Sequence, residues 1–324
     1  MATDNNILLT INCLTYNQRD YIRQALDSFL MQKTNFRYII SVHDDASTDG
    51  TQDIVSEYAN KYPDLIKATL EKENKYSKHD GSFRRIIDSL LQGKYIAFCE
   101  GDDYWTDPYK LQKQVDFLEA NPDYSMCFHN AIMHYENNIV PDRKFANIEN
   151  RDYTDLEIYE KWITSTASVL LRHDVYSSPQ YNKMFYEVNP LFGDIPLFLV
   201  CSMVGKIRGM EDTMCVYRRH DGNITRVQKK GNATQMMEYA KSHIRIYKAF
   251  GDRYKNKAVY EFVRIYTNLF IYSRQEGNIK WGYLITALKE DFLCTLECLF
   301  DSAMSSIKRR SSIIRQKYRH PFES

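Results

Sequence analysis

Apolar and polar positions along the chain switch repeatedly between two periods. Residues 7–14 (ILLTINCL) form a continuous apolar-rich run of strand length, broken at Thr15-Tyr16-Asn17-Gln18. Residues 19–32 then place Tyr21, Ile22, Ala25, Leu26, Phe29 and Leu30 at helical spacing. The alternation continues with a strand at 36–43, a helix stopped at Pro63, a strand at 65–70, a helix at 83–91 and a strand at 94–99. Strands alternating with helices of about a dozen residues predict βαβ units and a parallel sheet. Further helices are expected at 107–120 and 197–204, and strands at 125–135, 169–172 and 213–219. Residues 136–155 are polar and without period, which reads as loop. After Gly222 the pattern is helical alone, over 236–250, 258–274 and 281–300, the last with an apolar stripe from Trp281 to Leu299. The expected division is therefore 1–225 as an α/β domain and 226–324 as a helical region.

Composition changes this picture little. With 44% hydrophobic and 26% charged residues the chain reads as an ordinary globular protein, and 324 residues suit one large domain with an appendage. The first residues carry neither a basic nor an apolar leader segment, and no run approaches the roughly 18–20 apolar residues of a spanning helix. Seven cysteines without a CxxC pair read as buried small hydrophobes in a reducing cytoplasm. Charge changes the picture more. Residues 1–220 carry 24 Lys and Arg against 32 Asp and Glu, whereas 221–324 carry 19 against 10. Residues 307–320 contain six basic residues and no acid. An acidic front disfavours nucleic acid. The basic end is either a solvated cap on the rest of the chain or a surface for anionic lipid.

The candidate chemistry gathers where apolar strands stop. Glu100, Asp102 and Asp103 fall within four positions just after the strand at 94–99. Acids are poor strand formers, so they belong at the strand's C-terminal edge, where open α/β sheets bind ligands. Crowded carboxylates repel unless a cation sits among them, and such hard oxygen ligands suit Mg²⁺ or Mn²⁺. The structural alternative is that they cap the helix beginning near Asp107-Pro108. A second acid pair, Asp44-Asp45, ends the second strand. No GxGxxG follows the first strand and no GxxxxGK[ST] occurs anywhere, so the edge must be furnished by Tyr16-Asn17, Asp44-Asp45 and Asp102-Asp103.

Those residues lie in a series of spaced motifs. They are Thr15-Tyr16-Asn17, Asp44-Asp45-Ala46-Ser47-Thr48-Asp49-Gly50-Thr51, Arg84 nine residues before Gly93-Lys94-Tyr95, Glu100-Gly101-Asp102-Asp103-Tyr104-Trp105 with Pro108, Gly193-Asp194, and Tyr217-Arg218-Arg219-His220. In this order the chain resembles an inverting family 2 glycosyltransferase of the kind that builds bacterial surface polysaccharides, over roughly residues 7–225. The resemblance implies the GT-A fold: α/β, with a Rossmann-like mixed, mostly parallel sheet flanked by helices, here carrying an α-helical C-terminal extension. It implies that Tyr16 and Asn17 flank the nucleotide, Asp45 accepts from the base edge and Arg84 approaches the diphosphate. Asp102 would reach the ribose or a metal-bound water, Asp103 would ligate Mn²⁺ or Mg²⁺, and His220 would add a ligand from the far side. Asp194 would be the general base, and Trp162 to Ser168 would lie near the acceptor. Phe192 and Trp105 suit either the sugar pocket or the core.

Each role has a plainer alternative: turn chemistry for Asp44, Ser47 and Asp49, a helix N-cap for Asp194, a solvated helix face for Arg84, a loop histidine for His220. The implied partners are a nucleotide-sugar donor, UDP-linked, and a saccharide or polyprenyl-lipid-linked acceptor. The implied location is the cytoplasm, at the inner face of the plasma membrane. The competing readings are a non-catalytic nucleotide-sugar-binding module and a sugar-phosphate nucleotidyltransferase. The latter usually needs a glycine-rich basic loop that residues 14–19 lack.

Overall fold

A computed structural model describes residues 6–78, 80–136, 140–220 and 233–317, with side chains as far as residue 304. The chain folds as two compact units, Met1–Val227 and Gln228–Ser324.

In the first unit, β1 (Leu9–Thr15), β2 (Tyr38–Asp44), β3 (Ile66–Leu70) and β4 (Tyr95–Phe98) pair in parallel in the order β3-β2-β1-β4. The crossovers are α1 (Ile22–Leu30), α2 (Thr51–Lys61) and α3 (Ser82–Leu90). Parallel strands are covered on both faces, which is why β1 is apolar-rich throughout. Leu9, Ile11 and Cys13 are buried on one face and Thr10 and Asn12 on the other. Thr10 satisfies its hydroxyl by donating to Gln92 O at 2.7 Å.

Beyond β4 the sheet becomes mixed. The elements are β5 (Tyr104–Trp105), α4 (Lys110–Ala120), β6 (Tyr124–Tyr135), β7 (Arg143–Lys144), β8 (Asp152–Tyr153), α5 (Asp155–Glu160), β9 (Leu170–Arg172), α6 (Pro179–Asn182), α7 (Asp194–Val204) and β10 (Lys206–Arg219). The order continues β4-β9-β6-β10-β5, with β7 on β6 and β8 on β10. β9 is antiparallel to both its neighbours, β10 runs parallel to β6, and β5 is antiparallel to β10.

Three details differ from the hydrophobic pattern. The strands β5, β7 and β8 are two residues long, too short to show a period, and the last two lie in the polar stretch read as loop. α7 begins at Asp194, ahead of its apolar run. A π-helical turn, Lys183–Val188, follows α6.

Among the described residues the second unit holds four α-helices, Ala233–Phe250, Lys255–Gln275, Trp281–Glu290 and Phe292–Lys317. Its core is built from Ala240, Phe262, Val263, Ile265, Tyr266, Leu269 and Ala287. The single helix expected over 281–300 is two. Asp291 is extended (φ −157°, ψ 111°), and its Oδ1 accepts from Cys294 N at 2.9 Å, capping the helix that follows. Much of the stripe is exposed: Trp281, Ile285, Phe292 and Leu296 are open to solvent, as is Phe300 just beyond it. Among the described residues, no helix is long and apolar enough to cross a membrane.

Candidate active site

The C-terminal ends of β1, β2 and β4 bring two acid-bearing loops around Cys13, whose thiol is pushed far up by burial and by the charges of Glu100, Asp102, Asp103 and Asp44. The loops differ in how their acids are satisfied.

After β2, every carboxylate has donors. Asp44 accepts from Ser47 N at 2.8 Å and Gln52 Nε2 at 2.7 Å on one oxygen, and from Ser47 Oγ at 2.5 Å on the other. Asp49 accepts from Thr51 N and Oγ1 at 3.0 and 2.6 Å and from Arg19 N at 3.0 Å. Both are therefore turn residues, as short polar side chains in this position tend to be. Asn17 sits at φ 51°, a region asparagine tolerates. Its Oδ1 accepts from Thr48 N and its own N–H donates to Ser47 Oγ, each at 2.8 Å, so it clasps the β1 loop to the β2 loop. Tyr16, beside it, is 46% exposed and open to a ligand face. Asp45 is buried and accepts from Lys75 N at 2.6 Å and Tyr76 N at 3.0 Å, one on each oxygen. Each oxygen has a second lone pair, so the carboxylate can still take a donor from a base edge.

After β4 the acids are short of positive charge. Asp102 and Asp103 are buried. Asp103 Oδ1 accepts from Arg218 N at 2.8 Å, and Asp102 Oδ2 lies 3.0 Å from His220 Nε2. The Arg218 guanidinium pulls the Asp103 carboxyl down but is shared with other partners. It donates to the Asp102 carbonyl at 2.7 Å, to Glu136 Oε1 at 2.6 Å and to Gln24 Oε1 at 2.7 Å. It is also held 4.9 Å from the ring centres of Tyr21 and Tyr104. Burial, followed by the charges of Asp102 and Glu100, pushes the Asp103 carboxyl well above the usual range. Burial and Asp102 push Glu100 up in the same way. None of these acids caps α4, whose N-cap is Tyr109.

Asp194 opens α7, with Gly193 as the N-cap residue. Burial raises its carboxyl above the ordinary value, against the pull of the Ile195 amide and its own. Its charge contributes to the rise at Glu100 and at Tyr76, which places it near the β4 loop and near the turn whose amides serve Asp45. Arg84 reaches the same corner. Its guanidinium lies 3.8 Å from the Phe185 ring centre and donates to Tyr181 Oη at 3.4 Å. Arg84 Nη2 would stand 2.7 Å from a Cβ at Gly193, which sets the guanidinium against the start of α7. Arg84 is therefore no solvated helix-face residue.

Among the described residues no group of three or more His, Cys, Asp or Glu is arranged to hold a metal. Divalent cations at diphosphates commonly take one or two protein ligands and the rest from phosphate and water. Asp103, crowded by like charge, and His220, within 3.0 Å of Asp102, form a donor set that fits that mode. His220 meets Asp102 directly, a contact a ligand role would displace. Trp105 is resolved in favour of the core, buried with Nε1 donating to Ala167 O at 2.9 Å. Sequence reasoning gave no role to Arg218, Gln24 or Glu136. Arg218 was detectable, because it occupies the buried register of Met214 and Val216, where a charge needs partners.

The model of glycosyl transferase family 2 matches residues 11–178. An uncharacterised protein of Mycobacterium tuberculosis is 38% identical over 213 residues, covering 65% of this chain and 59% of the relative. The chain thus spans less than two thirds of that relative's length. The Escherichia coli UDP-Glc:alpha-D-GlcNAc-diphosphoundecaprenol beta-1,3-glucosyltransferase WfaP is 34% identical over 113 residues, 35% of this chain and 42% of that protein. Among solved structures, S. aureus TarS residues 1–349 in complex with UDP-GlcNAc superposes with a TM-score of 0.58 at 18% identity, covering 89% of this chain and 82% of that one. That likeness is one of fold, the GT-A fold.

Proposed function

The chain belongs to glycosyl transferase family 2, and on that premise we propose that it moves a hexosyl or N-acetylhexosaminyl group from a UDP-sugar to a saccharide or polyprenyl-linked acceptor, with inversion. The observation that carries this is the cluster of Glu100, Asp102 and Asp103, under-neutralised and within electrostatic reach of Asp194. A site built for a neutral ligand would not leave three acids so short of counter-charge. The TarS complex and the name of the E. coli relative support the UDP donor, and the latter also supports a lipid-linked acceptor.

In this reading Tyr16 and Asn17 bound the base and Asp45 accepts from its edge. Arg84 reaches toward the diphosphate, Asp102 holds the ribose, and Asp103 and His220 hold a divalent cation. When bound, that cation offsets the charge that develops on the leaving diphosphate. Asp194 takes the proton of the acceptor hydroxyl as that oxygen bonds to the anomeric carbon and the bond from that carbon to the diphosphate oxygen breaks. Its raised pKa makes it a stronger base than an ordinary carboxylate. At the other end of the chain, exposed Trp281, Phe292, Leu293 and Phe300, ahead of the basic stretch 307–320 in sequence, suit an anionic lipid surface on the cytoplasmic side. Co-sedimentation with anionic vesicles at low salt should be lost in a chain ending at Ser306. Equal sedimentation of both chains sinks that location.

The central test is calorimetric titration of UDP, GDP and dTDP, with Mn²⁺ and with EDTA. Metal-dependent binding of UDP, lost in Asp103→Asn, is the expected outcome. A folded protein that binds none of the three overturns the transferase reading.

A further inference from the structure

Three aromatic side chains meet beside the acid cluster, and beyond the general expectation that the stretch from Trp162 to Ser168 lies near the acceptor, none of them has been given a role. The rings of Phe145, Trp162 and Tyr217 are nearly perpendicular to one another. Their centroids are 5.0 Å apart for Phe145–Trp162, 5.2 Å for Phe145–Tyr217 and 5.9 Å for Trp162–Tyr217. The sheet holds two of them. Tyr217 lies on β10, one residue before Arg218, and Phe145 follows β7 and donates its N–H to Ala131 O at 2.8 Å. Trp162 belongs to neither strand. It follows α5, braced against both rings, yet remains 42% exposed. Trp105 shows what a core tryptophan looks like here: 1% exposed, with its indole N–H bonded. A tryptophan fixed by perpendicular neighbours and left open to solvent is a ready contact surface, not a packing residue.

The surroundings of Trp162 say what it would meet. Thr164, two residues on, is buried, and its Oγ1 has no hydrogen-bond partner among the described residues. A buried hydroxyl in that state calls for a ligand group or water. The same loop runs along the acids: Thr166 hydrogen-bonds Glu100, and Ala167 O accepts from Trp105 Nε1. Tyr217 is pushed up to about 12 by burial and then by the charge of Asp103, so the aromatic group borders the cluster. The donor contacts come from β1, β2, the β4–β5 loop and α3. The aromatic group comes from β7, β10 and the loop after α5, in the other half of the sheet order.

We infer that Trp162, braced by Phe145 and Tyr217, is the stacking platform for a pyranose ring of the acceptor, with the Thr164 hydroxyl as a polar contact. A pyranose presents a C–H face to an aromatic ring and hydroxyls at its rim, which matches an open indole two residues before a hydroxyl still to be satisfied. The inference rests on the transferase reading for the word acceptor, while the stacking site stands on the aromatic geometry.

The test is saturation-transfer NMR on the full chain with UDP and Mn²⁺ present. The probes are the methyl glycosides of glucose, N-acetylglucosamine, galactose and mannose. At least one should receive saturation on its ring C–H protons, weakened about tenfold in Trp162→Ala, largely kept in Trp162→Phe and reduced in Thr164→Val. UDP titration should be the same in all four proteins, which separates loss of the platform from loss of the fold. No saturation in a wild type that binds UDP overturns the inference, as does a Trp162→Ala variant that saturates like wild type. Saturation that depends on Trp162 in a protein that binds no nucleotide keeps the sugar site and removes the transferase reading.

Discussion

The ends of β2 and β4 carry the same kind of sequence, an apolar strand running into adjacent aspartates, and they solve opposite problems. Asp44 and Asp45 are met by backbone and side-chain donors from Ser47, Gln52, Lys75 and Tyr76. Asp103 accepts from the Arg218 amide and Asp102 meets the His220 imidazole, while the Arg218 guanidinium is shared with Glu136 and Gln24. The first arrangement is self-sufficient and holds the backbone in shape. In the second, burial and mutual repulsion outweigh the pull of Arg218 on Asp103 and of Thr166 on Glu100, and both carboxyls rise. Residue type and topological position are shared. The inventory of donors separates the two pairs, and on the proposed function the second is the one that meets a ligand.

The largest effects should separate the two kinds of acid by sign. Asp194→Asn and Asp103→Asn should each lower transfer about 10²–10⁴-fold, with Asp103→Asn also losing metal-dependent UDP binding. Neither should lower the melting temperature. The asparagine at 103 still accepts from the Arg218 amide, and the variant sheds a buried charge. For Asp194 the linkage has a definite sign. Its folded pKa is raised, so the stability it contributes is full below the ordinary carboxylate pKa and is lost as pH rises through the raised value. Asp194→Asn should therefore equal or exceed wild type in stability at neutral pH. The kcat/KM of wild type should rise with pH along a limb above the ordinary carboxylate range. A limb at the ordinary value would remove Asp194 as the base.

Asp44→Ala should do the reverse. It leaves the Ser47 and Gln52 donors without their acceptor inside a buried turn, at a cost of about 2–3 kcal/mol of stability by chemical denaturation. The transfer rate of the molecules still folded should change less than about tenfold. A large loss of rate with no loss of stability would mean that Asp44 belongs with the β4 acids.

How much of this could be read from the chain depends on what each feature is made of. The parallel half of the sheet was legible because β1, β2 and β4 are apolar runs covered on both faces, with amphipathic helices between. The antiparallel insertion of β9 between β4 and β6 was not. Its three residues mark a strand, but nothing local gives them a direction. At the site, the acids were legible as residues but not their donors. Lys75 and Tyr76 serve Asp45 through backbone N–H groups, which any side chain would carry. Asp291 broke the last apolar stripe in two by capping, a signal present in the sequence but masked by the period around it. Trp162 could be placed near the acceptor only by resemblance, because its braces come from residues 17 and 55 positions away.

Asp45 lies between the two classes, and its variant is the subtlest way to sharpen the contrast. Both its oxygens already serve amides, yet it is the acid proposed to read the nucleobase, so it must do structural and binding work at once. Asp45→Asn keeps one accepting oxygen and sets an NH₂ group against either the Lys75 or the Tyr76 amide. That mismatch should cost about 1–2 kcal/mol of stability. It should weaken UDP about tenfold, because the asparagine turns outward to relieve it and no longer accepts from the base edge. UDP binding unchanged alongside the stability loss would class Asp45 with Asp44, as architecture alone. Weaker UDP with full stability would show that the amides of the 75–76 turn find other acceptors, and that the β2 end is less self-sufficient than its hydrogen bonds indicate.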